Sequence, residues 1–506
     1  MHTQPVDLLV IGGGVNGTGI ARDAAGRGLK VILIERGDLA GATSSAATKL
    51  IHGGLRYLEQ YEFRLVREAL GEREKLLRLA PHIIWPLRFV LPHHPGLRPA
   101  WMIRIGLFLY DHLARRVSLP GSVGIRLTDD PRGAPLKPQF QKGFEYSDGW
   151  VDDSRLVVLN AMSARGLGAD IRTRTAVTAA VREGDLWRVT VTDQDSGLRS
   201  DILARGIVNA GGPWVRQTLV EAFGQTPKNS VRLIKGSHIV TRRLFDGEHC
   251  YIFQNADGRV LFAIPYEQDF TLIGTTDIAV DTLDGPPRIS EAETAYLLES
   301  AGEYFRSPVT ADMIVWSFAG VRPLYDDGEN DPSAITRDYV LDLDDTGPPL
   351  LSVYGGKLTT YRRLAEHAME KLARFYPQAG KPWTDGMPLP GGDFRSFAVL
   401  LAELRAAYPG MDPAWLERLA HRHGTLTRQV LGTRASIAEL GEHFGGGLYA
   451  AEVEWLMREE WAAQADDILW RRTKLGLRVS AAERERLGNW MAAHRPASGP
   501  RAEPLS

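Results

Sequence analysis

Three glycines near the start of the chain, Gly12, Gly14 and Gly17, follow an apolar run, Val6 to Ile11. Their spacing suits the binding of a pyrophosphate. The first permits a tight turn, the second lets backbone N–H groups approach an anion, and the third lets a helix pack close on the strand. Val15 and Asn16 fall at the start of that helix, where unpaired donors and the positive dipole end favour the same anion. A second apolar run from Lys30 to Ile34 ends at Glu35, where a carboxylate accepts hydrogen bonds from an adenosine ribose; Arg36 beside it is a further candidate contact. These residues say dinucleotide. The segment that follows favours FAD over a nicotinamide cofactor, because Gly41-Ala42-Thr43-Ser44-Ser45 offers small hydroxyl residues under which a long cofactor can lie extended. A nicotinamide enzyme would more often run straight into the next helix and strand.

These residues need a strand over Val6–Ile11, a helix to about Arg27 and a strand over Lys30–Ile34. A second strand–glycine–helix junction is expected where LLSVY meets Gly355, Gly356, Lys357, Leu358, Thr359 and Thr360. IVNAGGPW supplies a third strand ending in small residues, Ala210 and Gly211. Val177, on a strand from about Ala176 to Arg182, is a candidate neighbour of the adenine. The expected fold is α/β: a Rossmann-like FAD-binding domain assembled from residues 1–80, 145–225 and 325–385. Residues 81–144 and 226–324, with runs such as Val260–Ile264 and Thr271–Gly274, form a mixed-sheet substrate (cap) domain. A Pro/Gly linker at 380–393 leads to a helical domain over 386–506, with apolar residues at i, i+3 and i+4 spacing. Its final helix, near Ser480 to His494, precedes a Pro-rich tail expected to be disordered.

The run from Lys49 to Glu59, KLIHGGLRYLE, resembles the signature of the FAD-dependent, aerobic glycerol-3-phosphate dehydrogenases. Further segments resemble the same family: FEYSDGWVDDSRL, IVNAGGPW, RLIKGSHIV, IGTTD, GVRPL, AITRDY, GGKLTTYRRLAEHA and LWRRTKLGL. Together they cover nearly the whole chain. The resemblance implies oxidation of sn-glycerol 3-phosphate to dihydroxyacetone phosphate, with hydride passing from C2 to FAD and electrons going on to a membrane quinone. It also implies that Lys49, Leu50 and His52 lie by the cofactor and that the Gly355–Thr359 segment closes over the flavin ring. A homodimer, held peripherally on the cytoplasmic face of the membrane, is the expected assembly.

The residues can be weighed against that chemistry. A phosphomonoester carries nearly two negative charges, and arginine pairs two of its oxygens at once. Arg56, Arg322, Arg337 and Lys357 lie far apart in sequence, each within one of these segments, and are the substrate-binding candidates. Hydride loss from C2 requires a base for the hydroxyl proton. His238 and His52 are the candidates, with Arg322 a further catalytic group; His52 could equally position the flavin.

Composition bounds the rest. The 506 residues carry a formal charge of −2, which argues against a nucleic-acid binder relying on a global basic field. The single cysteine, Cys250, excludes an intramolecular disulfide and any multi-cysteine metal site, suits a reducing compartment, and lies in no motif for covalent flavin attachment. No metal centre is expected. The N-terminal apolar run is too short for a secretory leader, so cytoplasmic residence is expected, with any membrane contact peripheral. Trp101, Met102, Ile103, Ile105, Leu107, Phe108 and Leu109, near Arg98, Arg104, Arg115 and Arg116, form either a basic interfacial helix or a core helix of the cap. Three rivals stay open: an oxidase passing electrons to oxygen, an amine or amino-acid oxidase, and a non-catalytic flavoprotein scaffold.

Overall fold

Val6–Ile11 is short, apolar and almost wholly buried, as a strand covered on both faces must be. In the computed structural model, which describes residues 4–58, 61–114, 117–283, 285–326 and 338–495, it is the centre of a parallel sheet. Val31–Ile34 and then Asp170–Arg172 lie on one side. Arg199–Asn209 and then Leu350–Tyr354 lie on the other, with Val340–Asp344 antiparallel at the edge. A hairpin, Thr175–Glu183 with Leu186–Asp193, joins through the first half of Arg199–Asn209. Helix Val15–Gly26 leaves the central strand and packs against helices Asp153–Gly166 and Tyr361–Leu372. The expected Rossmann-like sheet is therefore present, drawn from separated parts of the chain.

The second sheet is mixed and has ten strands. Its long members, Val231–Arg242 and Ile314–Tyr325, pair antiparallel along nearly their whole length, and Ile84–His93 pairs with Lys142–Val151. Lys142–Val151 lies wholly in this sheet, so the domain boundary expected at residue 145 falls inside one strand. Leu50–Ile51, from the expected nucleotide segment, also pairs here, against Gly149 and Trp150. The strand hides the boundary because its polar residues are buried with partners: Asp148 binds Arg73 at 2.6 Å and Tyr110 at 2.8 Å. The segment 81–144 also holds a helix, Ala100–His112, whose Trp101, Ile105 and Phe108 are 63%, 51% and 56% exposed. That is not the packing of a core helix. Within it only Leu107 and Tyr110 are buried.

Beyond residue 390 the chain is helical: Phe397–Ala407, Pro413–His423, Ala450–Glu459 and Ala481–Ala493, the last opened by a Ser480/Glu483 capping box. Residues 496–506, where the tail was expected, lie outside the described residues. Ionic contacts hold this region to the nucleotide sheet. Arg472, fully buried, grips Asp38 at 2.8 and 2.9 Å, and buried Arg155 pairs with Glu460. Removing one partner of such a pair costs about 3–5 kcal/mol, because the other is left charged and buried. Trp470 also stacks on Trp316 of the second sheet, with ring centres 4.4 Å apart and planes 18° from parallel.

Candidate active site

One continuous cavity of about 1140 Å³ is lined from the nucleotide sheet, the second sheet and the C-terminal region. At one end Gly12, Gly14, Val15 and Asn16 form its floor. Gly12 has φ +110°, and a Cβ there would lie 2.5 Å from the Ala210 carbonyl oxygen. Gly17 does not line the cavity; a Cβ on it would lie 1.9 Å from the Gly12 oxygen, so it serves the close helix–strand packing. Ser44 Oγ accepts from the Val15 N–H at 3.0 Å, and Thr43 Oγ1 donates to the Val321 carbonyl at 2.6 Å, tying this loop to the second sheet. Ser45 turns back on Ala42 and, contrary to expectation, does not line the cavity.

Glu35 accepts from the Gly13 N–H at 2.6 Å and the Gly37 N–H at 2.7 Å. Each carboxylate oxygen keeps a second lone pair for a ribose hydroxyl. Burial pushes its carboxyl pKa up against those two amides. Arg36 lies over the Trp214 ring at 4.5 Å. Val177, Ala210 and Gly211 line the same end. Asn16 links the two glycine junctions, donating from Nδ2 to the Gly355 oxygen at 3.1 Å, while its buried Oδ1 has no partner. A crowded glycine turn, a cavity-lining carboxylate with free lone pairs and an unsatisfied amide oxygen along a long channel fit an extended FAD.

At the other end Leu50, His52, Arg56, Gly356, Lys357, Leu358 and Thr359 line the cavity. The His52 N–H and the Thr359 hydroxyl are 3.2 Å apart, which joins the two glycine-bearing segments. The helix after Gly355-Gly356 begins only at Tyr361, so a turn, rather than the helix end, meets the cavity. Lys357 Nζ sits 4.3 Å over the Tyr57 ring. Arg322 forms an ion pair with Asp277 at 2.8 Å and donates to the Thr276 carbonyl at 2.9 Å. Arg337 lies outside the described residues.

His238 is 2% exposed, shares a 3.0 Å hydrogen bond between its Nε2 and Thr48 Oγ1, and stacks on Phe318. Burial, and then the Lys49 and Arg322 cations, hold its pKa well below 6.5, so the ring is neutral at physiological pH. Lys49, expected at the cofactor, does not line the cavity. With φ +64° it turns inward, is 1% exposed, and spends its ammonium on Asp153 at 2.7 Å and the Ser45 carbonyl at 2.9 Å.

A family model described as FAD dependent oxidoreductase matches residues 7–362. The chain belongs to the FAD-dependent oxidoreductases. A second model, described as the C-terminal domain of alpha-glycerophosphate oxidase, matches residues 382–494. This oxidoreductase is 54% identical over 493 residues to a glycerol-3-phosphate dehydrogenase of Pseudomonas aeruginosa, covering 97% of the chain and 96% of the relative. It is 51% identical over 490 residues to a D-erythritol 1-phosphate dehydrogenase of Brucella abortus, covering 96% and 98%. Its fold is similar to that of a glycerol-3-phosphate dehydrogenase from Bacillus halodurans solved with FAD, at TM-score 0.76 and 27% identity, covering 97% of this chain and 95% of that one. FAD is the cofactor.

Several residues of the oxidoreductase site escaped the sequence. Asp277, which pairs with Arg322, ends the IGTTD segment, and Thr48, which holds His238, directly precedes KLIHGG, but neither residue type has a spacing that marks its role. An apolar wall from the second sheet, Phe89, Leu91, Tyr146, Ile252 and Phe262, has the alternation of any half-buried strand. Gln464, Asp467 and Arg471 reach the cavity from the C-terminal region, far from every other lining residue in sequence.

Proposed function

We propose that this oxidoreductase converts sn-glycerol 3-phosphate to dihydroxyacetone phosphate. The observation that carries the reading is a pair of cavity-lining cations, Arg56 and Lys357, that form no ion pair among the described residues. Cations left without carboxylates beside a flavin site call for an anionic substrate, and the guanidinium fork suits a phosphate. Arg337 belongs to the same expected set. Bound FAD supplies the acceptor for the C2 hydride and the route by which electrons reach a membrane quinone. Arg56 and Lys357 hold the phosphate and fix C2 at a constant distance from the ring. Arg322, oriented by Asp277, steadies the negative charge that grows on the C2 oxygen.

His238 takes the C2 hydroxyl proton. If Thr48 accepts from Nε2–H, the basic nitrogen is Nδ1, which has no hydrogen-bond partner. His52, tied through its backbone to Thr359, positions the flavin. His238→Gln is expected to lower turnover at least about tenfold with FAD retained, within the range general bases contribute. Because the folded pKa is depressed, the base is lost only as pH falls well below 6.5. The acid limb of kcat/KM should therefore show no His238-dependent inflection near 6.5; near-normal turnover in His238→Gln would remove the base assignment.

The deciding experiment is anaerobic bleaching of the flavin band. Glycerol 3-phosphate should bleach it within turnover time, and glycerol should not. Faster bleaching by D-erythritol 1-phosphate would move the substrate to the four-carbon homologue. No bleaching by either would favour a non-catalytic flavoprotein. Peroxide formation without added quinone would make the enzyme an oxidase.

Peripheral attachment to the cytoplasmic face of the membrane is part of the same reading. No helix among the described residues is long and apolar enough to cross a bilayer. Helix Ala100–His112 instead exposes Trp101, Met102, Ile105, Phe108 and Leu109, an apolar face of the kind that lies in a headgroup layer. Arg104 donates to the Ser122 carbonyl at 2.9 Å, and Arg115 and Arg116 lie outside the described residues. Asp at Trp101, Ile105 and Phe108 together is expected to release most of the enzyme from anionic vesicles in a flotation assay. Unchanged flotation would defeat the attachment. The homodimer belongs to this reading too, and is read by light scattering.

A further inference from the structure

Three segments meet at the Glu35 end of the cavity. The first is the loop after the second parallel strand, where Arg36, Gly37 and Asp38 line the wall. The second is the start of the hairpin, Arg174 to Thr178. The third comes from the C-terminal region, where Gln464, Asp467 and Arg471 line the same wall. They form a closed ring of contacts. The Arg174 N–H donates to the Gly37 carbonyl at 2.8 Å, and the Thr175 N–H to the Glu35 carbonyl at 2.9 Å. Arg174 Nη2 donates to Asp467 at 2.9 Å. Asp467, fully buried, also takes the Ala463 and Gln464 N–H groups at 2.8 and 2.9 Å. Arg471 then bridges Asp467 back to Asp38, which Arg472 grips from beneath.

The ring is nearly saturated, with one exception. Arg174 Nη1 is buried and has no hydrogen-bond partner, although its residue lines the cavity. The C-terminal segment thus enters the wall of the nucleotide site as part of a hydrogen-bonded unit with Arg174 and Asp38.

We propose that the C-terminal segment 464–471 is part of the adenosine subsite of FAD, with Gln464 and Arg471 completing its wall beside Arg174. The inference rests on the reading that FAD lies with its adenosine at Glu35. Docking of this segment and FAD affinity are then linked, each strengthening the other by the same factor.

The test uses the full-length enzyme stripped of FAD, with ADP as the probe, because ADP carries the adenosine half alone. ADP is expected to slow amide hydrogen exchange across 463–472 several-fold in the wild type. Gln464→Ala and Arg174→Gln are each expected to weaken ADP and FAD by similar factors, about tenfold for Arg174→Gln. The two variants guard against misfolding, since the Gln464 side chain makes no hydrogen bond among the described residues. A purely structural bolt would leave the exchange of 463–472 indifferent to ADP. An enzyme that binds FAD yet shows no ADP protection, or variants that bind ADP like the wild type, would overturn the inference. A wild type that binds neither ADP nor FAD would instead overturn the cofactor reading beneath it.

Discussion

Gly12→Ala is expected to yield an enzyme that purifies without its flavin. At φ +110° an alanine is strained by about 1–3 kcal/mol before any contact is counted. Its Cβ would also stand 2.5 Å from the Ala210 oxygen and 2.9 Å from the Ala210 carbonyl carbon, both backbone atoms of the residue that follows the neighbouring strand. Neither can retreat without opening the pairing of Ile11 with Asn209. The turn must move instead, and with it the backbone of the glycine loop that lines the cavity. Flavin content, read from the visible absorbance per protein, should fall below about a tenth of wild type, a loss of at least about 1.4 kcal/mol in binding. Gly71→Ala is the control: it lies inside helix Phe63–Leu79 and a Cβ there meets nothing within 4 Å. Normal flavin content in Gly12→Ala would take the cofactor away from this loop.

The second large effect is expected at Arg56. Arg56→Ala should retain FAD and lose kcat/KM for glycerol 3-phosphate by roughly 30- to several-thousandfold, the range for truncating one side of a desolvated charge pair, about 2–5 kcal/mol. Guanidine added back offers a partial rescue and separates lost charge from lost folding. Arg56→Lys should recover only part, since an ammonium lacks the planar fork. Wild-type kcat/KM in Arg56→Ala would leave the phosphate to other cations and remove the main support for the substrate.

What could be read from the sequence was local. Gly12, Gly14, Gly17 and Glu35 announce themselves because turn, helix start and strand end are neighbours along the chain, so spacing alone encodes their geometry. Arg56, Lys357 and Arg322 stood out only through the resemblance, because an isolated cation has no periodicity. Lys49 shows the limit. The same motif that points His52 to the cavity turns Lys49 inward at a positive φ, toward Asp153, about a hundred positions away. Asp38 and Arg472 likewise meet across most of the chain, and no local pattern foretells it. The boundary at 145 failed because Lys142–Val151 carries its polar residues inside, paired, and so gives no change of composition. The helix at Ala100–His112 was ambiguous because apolar spacing reports a face without saying what covers it.

The Trp316–Trp470 stack makes the molecule its own recorder. One indole rides on the second sheet and the other on the C-terminal segment, at 4.4 Å, close enough for their electronic transitions to mix. A parting of those two bodies by even a ring's thickness would erase the paired near-ultraviolet dichroic signal. Opening and reseating of the joint can thus be followed in unlabelled protein, by light alone.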